Sequence, residues 1–156
     1  MKTLSHLYEE NYTAWAHQNA VLLKTGQFSK LDIQHLLEEL EEMGRAERNE
    51  LENRLIILLA HLLKWQFQYA QLSERWQEFK GDSWKATIIE QRLRLNRRLR
   101  KSPGLKSRLP DVITEAYQDA VELASDETGL PTATFPEQCP YTQEQILNKV
   151  FFPHTE

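Results

Sequence analysis

Glu47, Arg54 and His61 stand seven residues apart, and Lys64 follows about one turn later. On a helix this spacing sets a carboxylate, a guanidinium, an imidazole and an ammonium along one edge. Such a seam has two uses. It can hold a small anion or a substrate, because the planar fork of Arg54 grips a carboxylate or phosphate at two points. It can instead satisfy itself as an ion-pair network that sets helix register, since a charge buried alone is costly. Arg92, on a later segment, is placed to face the seam in either case. The internal network is the favoured reading and the pocket is the alternative.

Other chemistry finds less support. Glu38, Glu39, Glu41, Glu42 and His61 are metal-ligand types, but a di-metal helix bundle repeats Glu-x-x-His on two helices, and no such pair occurs. The expectation is therefore no metal and no cofactor. Cys139 lies between Gln138 and Pro140 with no base nearby in sequence, which fits a structural thiol better than a nucleophile. The five glycines are isolated, so no phosphate-cradling loop exists. Between Lys85 and Arg108 run Lys85, Arg92, Arg94, Arg97, Arg98, Arg100, Lys101, Lys106 and Arg108 against one acid, Glu90. The basic 92–108 stretch could touch phosphates. It lacks interleaved aromatic residues and any recognition motif, so nucleic acid is disfavoured. A solvated face that pairs with acidic helices, in this chain or a second copy, fits better. Trp76 and Phe79 are expected on a loop over 69–81, as a patch for a protein partner or a lid over the core.

These residues need elements to carry them. The centre is Leu51 to Trp65, in which Leu51, Leu55, Leu58 and Leu62 form one helix face while Ile56, Ile57, Leu59 and Leu63 fill the others. A helix apolar all round must be covered all round. The pattern predicts a central helix at about 45–68. The phase of Ile33, Leu37, Leu40 and Gly44 runs on to Leu51 and Leu58, which favours one long helix over 33–68, straight or kinked, with a stop at Gly44 as the alternative. Ile33, Leu37 and Leu40 are expected to face inward, with Glu38, Glu39, Glu41 and Glu42 elsewhere. Asp32 can cap this helix and Leu31 can staple to Leu36.

An earlier helix is expected over about 6–25, with Tyr8, Tyr12, Trp15, Asn19 and Leu22 on one stripe and Gly26 just past its end. Asp82 or Ser83 would cap a helix over 84–101 with Trp84, Ile88, Leu95 and Leu99 inside and Arg92 at the margin. A helix over 108–128 would bury Leu109, Ile113, Tyr117, Ala120 and Ala124 and show Asp111, Glu115, Asp119, Glu122 and Asp126 to water. The tail at 130–156 reads as irregular with a short helix near 143–149. Thr142 and Gln145 fit a capping box there, and Phe151 and Phe152 look docked.

The totals agree with one all-α domain over 1–156. Of its 156 residues 40% are apolar, with 5 glycines, 6 prolines and a formal charge of −4. That composition supports a core and does not itself point to nucleic acid. One cysteine allows no internal disulfide. The N-terminus lacks a signal-peptide pattern and the longest apolar run is far below the ~20 residues that span a bilayer, so a cytoplasmic protein off the membrane is expected.

Several segments together carry a resemblance. They are Trp15 with Ala20-Val21-Leu22-Leu23, Gly26-Gln27-Phe28, Leu31-Asp32, Leu36 through Arg45, and Glu47-Arg48. His61 through Trp65, Ser83 through Ile88, Gln91-Arg92 and Phe135 through Thr142 follow in order. The chain resembles the bacterial family catalogued as domain of unknown function number twenty-nine, common in cyanobacteria. The resemblance implies an all-helical fold and supplies no activity or cofactor. The reading is an all-α bundle of four to six helices serving as a non-catalytic protein-interaction or scaffold module, a homo-oligomer or bound to a protein partner. A small-anion or substrate pocket at the Glu/His/Arg seam is the alternative, and nucleic-acid binding by the basic helix is the second.

Overall fold

The structure is a computed structural model, and it describes residues 3–75 and 81–155. Among the described residues there are six α-helices and no strand: α1 (Leu4–Glu10), α2 (Tyr12–Lys24), α3 (Ile33–Arg75), α4 (Asp82–Lys101), α5 (Leu109–Thr128) and α6 (Gln143–Leu147). Short 3-10 turns join several of them. The all-α class read from periodicity holds. The chain divides into two compact units, Met1–Glu47 and Arg48–Glu156.

In the first unit the helix expected over 6–25 is two helices. Asn11 breaks it, because its side-chain oxygen accepts from the Ala14 N–H at 3.1 Å and so caps α2. Asn19, the one polar residue of the aromatic stripe, is buried. Both ends of its amide are bonded: the nitrogen donates to the Trp15 carbonyl at 2.9 Å and the oxygen accepts from the Asp32 N–H at 3.1 Å. Asp32 accepts from the Trp15 indole at 2.9 Å and from the His35 imidazole at 2.7 Å. Burial works to raise the Asp32 carboxyl, but the bonds from Trp15 and His35 outweigh it and hold the carboxyl below its ordinary value.

The face of α3 in this unit differs from the expectation. Ile33, Leu37 and Leu40 are exposed, and Glu39 takes an inward place. Tyr8 and Tyr12 both donate their hydroxyls to Glu39, at 2.5 and 2.8 Å. The inward expectation rests on the phase that runs from Ile33 on to Leu51 and Leu58. Here the aromatic stripe of α1 and α2 meets the adjacent face instead, where a carboxylate can accept two phenols. Tyr8 also stacks on His35 with ring centroids 4.1 Å apart. The Glu39 contact pushes the Tyr8 phenol up to about 12.

The second unit holds the core. Leu51, Leu55, Leu58, Leu59, Leu62 and Leu63 are fully buried. They pack in one cluster with Ile88, Leu95 and Leu99 of α4, with Leu109, Ile113, Tyr117, Ala120 and Ala124 of α5, and with Ile146 of α6. The central-helix reading is therefore correct. α3 runs through Gly44 without a left-handed residue and continues to Arg75, past the expected loop start at 69. Trp65 and Tyr69 stack at 4.6 Å. A Cβ on Gly81 would meet the Tyr69 ring at 2.4 Å, and Gly81 has φ +67°. A backbone turn against an aromatic ring in the left-handed region admits only glycine. That turn, rather than an Asp82 or Ser83 cap, precedes α4, which starts at Asp82 itself.

Gly129 ends α5 at φ +76°. The Thr142–Gln145 capping box is present in both directions. Phe151 and Phe152 pack against the core as expected.

Candidate functional site

Of the seam residues, Arg54, His61, Lys64 and Arg92 go to separate partners. Glu47 closes the first unit and is half-buried. The other four lie in the second unit. Arg54 donates to the Gln91 side chain at 3.4 Å. His61 is half-buried, and its Nδ1 donates to the Ile57 carbonyl at 2.8 Å, four residues back on the same helix. Burial pushes its pKa below the ordinary value and the Lys64 charge pushes the same way, against a raising effect of the Ile57 bond and of Glu127.

Lys64 is buried, with its ammonium bonded to Glu127 and 5.3 Å from the Trp84 ring centroid. Its long stem crosses apolar surface while the head meets an exposed acid on α5. Sequence spacing does not point to Glu127, because a partner 63 positions away leaves no local signal.

Arg92 is the larger departure. It was expected at a helix margin, and it is 1% exposed. Its Nε donates to the Ile146 carbonyl at 2.9 Å and its two terminal nitrogens to Phe151 and Gln145 carbonyls. The guanidinium carbon lies 5.8 and 5.6 Å from the Phe151 and Phe152 ring centroids. Among the described residues no carboxylate pairs with it. Desolvation brings its pKa down to about 10, which leaves it charged near neutrality. The five donors of a guanidinium suit this task, since they close the orphan carbonyls at the end of α6 and of the tail together. Asn96 adds a bond to the Leu147 carbonyl at 3.2 Å. Arg92 thus fastens the C-terminal segment to α4.

Trp76 and Phe79 lie outside the described residues. Cys139 is half-buried, and burial pushes its thiol up, the opposite of an activated thiolate. Among the described residues no group of three His, Cys, Asp or Glu side chains is placed to hold a metal ion, and no helix is long and apolar enough to cross a membrane.

One surface stands out in the first unit. Ile33, Leu37, Leu40 and Met43 of α3 are 61, 55, 64 and 59% exposed. Their spacings of four, three and three put them on one side of the helix. Gly44 follows Leu40 by four, and a Cβ built there meets nothing within 4 Å. Large apolar side chains gathered on one stripe mark a contact surface more often than a solvated one.

The fold and these surfaces define an all-helical protein with a leucine-rich core, a tail locked by a buried arginine, and an uncovered apolar stripe. The chain belongs to the family described as Domain of unknown function DUF29, which matches residues 7–152. Comparison with curated proteins and with solved structures returns no match.

Proposed function

We propose that this protein is a non-catalytic interaction module that pairs with a second copy of itself through the exposed stripe of α3. The observation that carries the reading is the set Ile33, Leu37, Leu40 and Met43, each more than half exposed on one side of one helix. Steps of four, three and four from Ile33 to Gly44 are the seam spacing of paired helices.

The stripe is also self-complementary. Two copies crossing antiparallel about a point midway between Glu38 and Glu39 would set Leu37 against Leu40 of the other copy. Ile33 would then meet Gly44, where an absent side chain leaves room for a large one. A glycine inside an exposed helix costs about 1 kcal/mol relative to alanine, and a close helix–helix approach gives that cost a purpose. Glu41 borders the stripe, whereas Glu42 lies across the helix and pairs with Arg45. In such a pair the Glu41 side chains of both copies draw near one another, so association strengthens as salt screens them.

Light scattering coupled to size-exclusion chromatography tests this. The expected outcome is a dimer of the 18.4 kDa chain, tighter in high salt than in low, with Leu40→Glu monomeric and unchanged in helix content. A wild-type protein that stays monomeric at both salt concentrations would overturn the reading. So would a dimer that Leu40→Glu leaves intact.

A further inference from the structure

Within the second unit, Arg54 of α3 and four cations of α4 line a single cleft. Its walls are Glu50, Arg54, Arg94, Arg97, Arg98 and Lys101, and its volume is about 220 Å³. Five cations face one carboxylate there, in a chain whose formal charge is −4. Glu50 is bonded to Arg98. Arg94 is paired to Glu90 at 2.9 Å, beyond the cleft wall. Gln91, a neutral acceptor, steadies Arg54 at 3.4 Å. These bonds hold Arg54, Arg94 and Arg98 in place without cancelling the excess of positive charge. Arg97 and Lys101 are exposed and four residues apart on α4. Like charges at that spacing repel.

Stabilising the end of α4 accounts for part of this charge, since Arg98, Arg100 and Lys101 lie in its last turn. It does not account for Arg94 and Arg97, which precede that turn, or for Arg54, which belongs to another helix. Convergence of cations from two helices on one recess is what an anion requires.

The geometry points to a binding site in this cleft for a small soluble phosphate-bearing anion. Four of the five cations are arginines, whose planar forks match phosphate oxygens in pairs. The volume lies below the roughly 300–1,000 Å³ of pockets that enclose a drug-sized molecule, so it fits a phosphate or diphosphate group rather than a whole nucleotide. Among the described residues no aromatic side chain lines the cleft on which a base could stack, which argues against a nucleic-acid strand. The site differs from the seam expected in sequence, because of those residues only Arg54 takes part.

Isothermal titration of the full chain with inorganic pyrophosphate at low ionic strength tests it, with sodium chloride at matched ionic strength as the reference. Saturable one-site binding is expected, about tenfold weaker in Arg97→Gln and, separately, in Lys101→Gln, the scale of losing a charge-assisted contact. Arg108→Gln, elsewhere on the basic run, should bind as the wild type does. Both cleft positions are exposed, and circular dichroism verifies that the variants keep their helices. The proposal is overturned if pyrophosphate gives no saturable heat, or if neither cleft variant weakens it. It is equally overturned if Arg108→Gln weakens it as much, or if a single-stranded oligonucleotide binds and pyrophosphate cannot displace it.

Discussion

At the scale of residues, buried polar groups in this protein are matched to backbone as often as to opposite charge. Asn19 joins the backbones of α2 and the start of α3. Arg92 gathers three carbonyls of the C-terminal segment. His61 returns to the carbonyl of its own preceding turn. The burial of His61 has a consequence for acid stability. Burial lowers the folded-state pKa of His61, so the unfolded chain, with an ordinary value of about 6.5, binds the proton more readily. The stabilising contribution is fully present above about pH 6.5 and is lost as pH falls from there through the folded value. Urea unfolding at about pH 8 and about pH 5 should show a loss in the wild type that shrinks in His61→Gln. An equal loss in both proteins would assign the acid sensitivity to other groups.

At the scale of elements, α3 changes character along its length. Its later part is the buried rod of the second unit, with six leucines out of water. Its first part offers Glu39 to two tyrosines and leaves Ile33, Leu37 and Leu40 uncovered. Gly44 lies between these parts, helical and with open space around it. Gly44→Ala should therefore raise the helix and unfolding stability of monomeric protein by about 0.5–1 kcal/mol, through helix propensity alone. The same change should weaken self-association by narrowing the gap that receives Ile33. Thermal unfolding at a concentration below dimerisation measures the first effect, and light scattering the second. Destabilisation of the monomer by alanine would instead place a neighbouring group against Gly44 in solution.

At the scale of the whole molecule, the two units differ in how much apolar surface they bury. Every member of the large core cluster lies at Leu51 or later. Among the described residues of the first unit, Trp15 and Asn19 alone are fully buried. Regions with few buried apolar contacts open at lower free energy than a leucine-filled core. Native-state hydrogen exchange should therefore find the amides of α2 exchanging through smaller openings than those of α3 at residues 55–63. Equal protection in both would mean that the chain unfolds as one cooperative block.

Residue spacing is enough to specify the helical class, the rod at residues 51–65, the apolar faces of α4 and α5, and the capping box before α6. These depend on neighbours within four residues, and local spacing records them directly. The family was legible too, because its motifs run in order along almost the whole chain. Where the charges go depends instead on how the chain folds. Glu127 reaches Lys64 across 63 positions, Arg92 meets a tail more than 50 positions away, and Arg54 shares a cleft with cations of another helix. The fold also decides which face of α3 the aromatic residues of α1 and α2 cover, and so which residues stay open to a partner. Periodicity locates a stripe on a helix, whereas the partner that covers it depends on chain segments whose approach no local spacing encodes.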